Sequence, residues 1–116
     1  VMLDNAMKRV MNTVSIEGVD SRKVCYIQAE HIYNILHLEN ETEVSVRCSS
    51  ADLEKMLEVV GFIRVHRTYI INMAYVDHIK DKTVLVNKRE IPVSARLKSR
   101  LRKEYSRYCR ENARYC

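Results

Sequence analysis

Phe62-Ile63-Arg64-Val65-His66-Arg67-Thr68-Tyr69-Ile70-Ile71-Asn72, followed further on by Ile91-Pro92-Val93-Ser94-Ala95-Arg96, is the stretch on which the reading of this chain turns. Its first five residues are aromatic, β-branched or basic in the manner of a short strand. Arg64, His66 and Arg67 then crowd cationic and donor groups around the strand end, just before a turn. An arginine so placed can fork onto guanine O6 and N7 or clamp a phosphate. The bland alternative is a surface arginine pair beside a hydrogen-bonded structural histidine. In the second segment Pro92 lacks a ladder donor, so Glu90–Val93 reads as an edge or terminal strand.

Working outward, the chain is rich in strand signals. Thr13–Glu17 reads as a short strand turning at Gly18, and Val24–Ile27 and Tyr33–Leu38 as two more. After the polar break Glu39–Thr42, Val44, Val46 and Cys48 alternate with Glu43, Ser45 and Arg47, the period of a half-buried strand. Ser49 with Asp52 makes a capping signal for a helix carrying Leu53, Met56, Leu57 and Val60 on one face, with Gly61 at its C-terminal stop. Val76–Ile79 and Thr83–Asn87 read as further short strands. From Ser94 a last helix sets Leu97, Leu101, Tyr105 and Tyr108 on one face, with a stripe of Arg96, Arg100, Lys103, Arg107, Arg110 and Arg114 beside it. At the other end, Met2, Leu3, Ala6, Met7, Val10 and Met11 form the apolar stripe of an amphipathic helix, expected to lead in from an upstream input domain.

Composition bounds what such a chain can do. At 116 residues, 47% apolar and 30% charged, one domain with its own core is expected. Two glycines and one proline exclude glycine-rich phosphate loops and proline-rich ligands. No apolar run approaches a membrane span and no secretory signal opens the chain. The four cysteines lack CxxC spacing, and a reducing, cytoplasmic setting is expected. His31, His37, His66 and His78 have no ligand-type helical partners, and Ser15, Ser45 and Ser94 lack the glycines of a nucleophile elbow. Neither an enzyme, a metal site nor a cofactor is expected. Charge is the stronger clue. The net +5 divides into +6 over residues 94–116 and −1 over the first 93. A polyanion is the natural partner of such a tail, nucleic acid before an acidic membrane surface.

Taken together, FIRVHRTYIIN and IPVSARLK closely resemble the strand-turn signature and closing segment of the LytTR DNA-binding domain. VCYIQAEHIYNILHLENETEV resembles that family's first strand, contact loop and second strand, and SSADLEKML its internal helix. The resemblance runs over residues 13–104, leaving 1–12 as a linker helix and 105–116 as a C-terminal helical extension. It implies a mainly β, elongated antiparallel domain of several short sheets with short helices and a C-terminal basic helix. It further implies the output domain of a bacterial response regulator, reading promoter DNA through loops, with two copies on a direct repeat or as a homodimer. By position in the motifs, Arg67 and Arg96 are the expected base-contacting residues. The first loop departs from the pattern, with Ile32 where the family often has a polar residue. His31 and Asn34 are therefore the expected readers there, and Arg64, Lys98 and Arg100 the phosphate contacts. The competing readings are a protein-interaction or dimerisation module with a basic amphipathic helix, a membrane-surface helix over residues 94–114, and a single-strand binder stacking bases on tyrosines.

Overall fold

The computed structural model describes residues 13–112. The expected helix over residues 2–11, together with Arg114 and Cys116, lies outside them. Strands Ser15–Ile16 (β1) and Val19–Asp20 (β2) make a small ribbon around Gly18. Val24–Glu30 (β3), Tyr33–Leu38 (β4), Glu43–Val46 (β5), Phe62–His66 (β6) and Tyr69–Asn72 (β7) form a five-stranded antiparallel sheet ordered β5-β4-β3-β7-β6. Val76–Ile79 (β8), Thr83–Val86 (β9) and Arg89–Pro92 (β10) form a three-stranded antiparallel sheet ordered β10-β9-β8, with the proline-bearing strand at an edge. Helix Ser50–Leu57 (α1) continues through a 3-10 turn to Val60, and helix Lys98–Glu111 (α2) follows the 3-10 turn Ala95–Leu97. The domain measures 44 × 34 × 25 Å. It is the mainly β, elongated antiparallel architecture that the sequence implied.

Local chemistry sets these boundaries. The Ser49 side chain accepts the Asp52 amide at 3.1 Å and caps α1. Gly61 ends the following turn at φ 92°, a left-handed conformation that glycine adopts without strain. Two cores result. Ile27, Leu36, Val46, Phe62 and Ile70 on one sheet face pack against Leu53 and Leu57 of α1 and against Ile16. On the other side, Ile63, Val65 and Ile71 meet Val76, Val84, Val86 and Ile91 of the small sheet and Leu101 of α2.

The structure adds one strand to those expected. Tyr69–Asn72 is a strand, pairing with both β3 and β6. Its Ile70 belongs to one core and its Ile71 to the other, so the segment shows an apolar run and no alternation. The boundary expected at 104/105 falls inside α2, whose Tyr105, Tyr108 and buried Cys109 pack inward.

Candidate nucleic-acid interface

The antiparallel order brings the β3–β4 turn and the β6–β7 turn to the same end of the large sheet. In the first, Glu30 pairs with Tyr33, leaving His31 and Ile32 as a two-residue tip. His31 takes φ 53°, a region where histidine is enriched among non-glycine residues. In the second, His66 pairs with Tyr69 and leaves Arg67 and Thr68 at the tip. Two backbone hydrogen bonds tie these loops to each other and to a third segment. The Ala29 amide donates to the Thr68 carbonyl at 2.8 Å, and the Ser94 amide donates to the Val65 carbonyl at 2.8 Å. The turn bearing Arg96 is thereby docked beside the end of β6, two residues from Arg67. His31, Arg67 and Arg96 are all exposed. One rim thus displays three loops, a histidine and two arginines.

The expected structural role of His66 is visible in this geometry. Its Nδ1 accepts the Thr68 amide at 3.2 Å and lies 2.9 Å from Thr68 Oγ1, closing the turn under Arg67. Its ring meets Tyr69 edge-on at 6.0 Å between centroids. The rest of the row is aromatic: Tyr26 sits 6.1 Å from Tyr69 and stacks on His37 at 4.2 Å. His37 also approaches Gln28 Oε1 at 3.1 Å and Glu43 Oε1 at 3.4 Å. Burial pushes the imidazole of His37 below its usual value, with the Glu43 carboxylate opposing the shift.

Two expected contact residues point elsewhere. Asn34 is only 4% exposed, on the face of β4 that packs against α1. Its Nδ2 donates to the Cys48 carbonyl at 2.7 Å and its Oδ1 accepts from Ser50 Oγ at 2.9 Å, so its amide ties β4 to the start of α1. Such an amide has no free edge for a base. Arg64 lies on the same inward face, its side chain 24% exposed and its Nε 3.6 Å from Glu54 Oε1 of α1. It pairs with that carboxylate and stands in mid-strand. Lys98 is engaged with Asp81, whose carboxyl is held below its usual range by that hydrogen bond. Arg100 is exposed one helical turn beyond Arg96.

The rim also includes a cation that sequence reasoning passed over. Arg47 follows β5 at this same end, and its guanidinium lies over the Tyr33 ring, 5.6 Å from the centroid. The two residues are 14 positions apart, and only the β4–β5 pairing, with Asn34 opposite Val46, makes them neighbours. A cleft of about 760 Å³ opens between Glu58–Ile63, Asn72–Tyr75 and the side of α2 that carries Arg100, Arg107 and Glu111.

Residues 15–106 match the family model of the LytTr DNA-binding domain. This chain belongs to the LytTr DNA-binding domain family. The LytTr domain here is also similar, with a TM-score of 0.64 and 27% identity, to the LytTr DNA-binding domain of a protein described as a methyl-accepting/DNA response regulator from Bacillus cereus. That likeness covers 79% of this chain and 93% of the other. No curated protein matches it.

Among the described residues no His/Cys/Asp/Glu group is arranged to hold a metal ion, and no helix is long and apolar enough to cross a membrane. The apolar face of α2, through Leu101, Tyr105 and Tyr108, is occupied by the domain's own core. That face is not free for a membrane or a partner helix. Cys25 and Cys48 are free thiols, and burial pushes the Cys25 thiol up to about 11. Cys109 is disulfide-bonded, which departs from the reducing setting expected for the four cysteines.

Proposed function

We propose that this LytTr domain binds double-stranded promoter DNA sequence-specifically, as the cytoplasmic output domain of a bacterial response regulator. The observation that carries the proposal is the shared rim. Three loops distant in sequence, joined through Ala29–Thr68 and Ser94–Val65, display His31, Arg67 and Arg96 together. In this reading Arg67 and Arg96 reach base edges, where a forked guanidinium suits guanine O6 and N7. His31 contributes from the first loop. Arg47 beside the rim and Arg100, one helical turn beyond Arg96, contact phosphates, which position the domain without specifying sequence. Lys98 joins them where a phosphate replaces Asp81 as its partner. Two copies on a direct repeat would double the readout, each copy using one rim.

The proposal is tested by selecting duplexes from a randomised pool and measuring the winner against a scrambled duplex by fluorescence anisotropy, from about 50 to 200 mM salt. A preference of tenfold or more that survives at the higher salt is expected. Arg67→Ala and Arg96→Ala should each lower affinity for the selected duplex by about 1–3 kcal/mol and narrow the preference. Binding that ignores sequence at every salt concentration would leave only a basic surface and overturn the reading.

A further inference from the structure

We infer that the β3–β4 hairpin reads a thymine through the side chain of Ile32. The inference rests on the DNA-binding function proposed above and names what one of its three loops recognises. Ile32 is 69% exposed at the hairpin tip, an unusual place for a large aliphatic side chain on an otherwise charged rim. The backbone on either side of it is tied down. The Glu30–Tyr33 pair closes the tip on one side, and the Ala29 amide on the Thr68 carbonyl ties the hairpin to the loop of Arg67. Next to it, Tyr33 is 41% exposed under the Arg47 guanidinium, whose own backbone amide donates to Glu17 Oε2 at 3.3 Å. Ile32 is therefore an exposed apolar point flanked by cations that draw a phosphate backbone close.

An isoleucine can neither donate nor accept a hydrogen bond, so it discriminates bases only by apolar contact. On the edges that duplex DNA shows to a protein, that contact is offered by the C5-methyl group of thymine, in the major groove. The neighbouring Arg67 loop supplies hydrogen bonding, and Ile32 supplies the complementary apolar readout beside it. The exposed area of Ile32 is then covered on binding, and the site demands a thymine under the hairpin.

The test uses the duplex selected above, with each thymine replaced singly by deoxyuridine, which removes the methyl group and leaves base pairing intact. Wild-type protein should lose about fourfold in affinity at one thymine position, the effect of one buried methyl group. Ile32→Ala should bind thymine and deoxyuridine duplexes equally at that position, whereas Arg67→Ala should keep the fourfold difference. Ile32 lies in an exposed turn, and unchanged thermal unfolding of the variant verifies its fold. The inference is overturned if sequence-specific wild-type binding is indifferent to every deoxyuridine replacement. It is equally overturned if Ile32→Ala weakens thymine and deoxyuridine duplexes alike, the mark of a side chain wedged between base steps. Failure of the DNA-binding reading itself looks different, because the wild type would then bind all duplexes equally, and this inference would fall with it.

Discussion

His66 and Thr68 clamp the turn that displays Arg67: the imidazole Nδ1 accepts the Thr68 amide at 3.2 Å and sits 2.9 Å from the Thr68 hydroxyl. Through these two contacts the ring closes the turn as the partner of Thr68. The histidine and the arginine in the same motif therefore do different work. One shapes the loop and the other faces solvent.

That division predicts coupling. His66→Phe keeps the ring against Tyr69 and removes the acceptor, so the Arg67 loop loosens. Affinity for a selected duplex should fall by roughly 0.5–1.5 kcal/mol, the worth of an ordinary hydrogen bond. In an Arg67→Ala background the same change should have little further effect, because it acts through Arg67. Fully additive losses in anisotropy titrations would show that His66 contacts DNA itself.

Asn34→Ala should act on stability and not on readout. It leaves the Cys48 carbonyl and the Ser50 hydroxyl without their partner where β4 meets α1. The expected loss is about 1–3 kcal/mol, seen as a lower urea midpoint. Base preference of the folded fraction should be unchanged. A shift in preferred base with an unchanged midpoint would make Asn34 a reader after all.

Gly61→Ala probes the join between α1 and β6. The glycine sits at φ 92°, and an added Cβ would lie 3.2 Å from Cε2 of Tyr108 on α2. The backbone strain alone should cost about 1–2 kcal/mol, with displacement of the tyrosine adding to it. A thermal melt coinciding with wild type would mean that both the turn and the ring relax without cost.

Acid should weaken the domain before its carboxylates titrate. Burial lowers the pKa of His37 from its ordinary 6.5, so the unfolded chain takes up a proton at a pH where the folded chain does not. Stability is therefore complete above about that value and declines as pH falls through it, levelling off below the folded pKa. The carboxyls of Asp20, Asp81 and Glu90 are held low, and their contributions are lost in a separate, more acid range. His37→Phe keeps a ring against Tyr26 and should show a flatter urea midpoint between pH 7 and pH 5. Parallel profiles for the two proteins would exclude His37 as the source.

The parts of this domain that were legible in sequence are those whose cause is local. Strand alternation over Glu43–Arg47, the Ser49 cap, the Gly61 stop and the proline edge of β10 each depend on residues within a few positions of one another. Arg67 and Arg96, to which the family resemblance pointed, stand exposed at turns.

What the tertiary structure alone decided is which polar side chains face water. Asn34 and His31 are three residues apart at the same hairpin, yet one is buried against Cys48 and Ser50 and the other crowns the tip. Arg64 and Arg67 share a motif, yet the first is turned toward Glu54 of the preceding helix at 3.6 Å. Arg47 joins the rim only because β5 pairs with β4, and β7 was hidden because burial on both faces removes the alternation that marks a strand. A side chain's face in a sheet follows from register with strands far away in sequence. Register is set when the whole core closes, and no local pattern contains it.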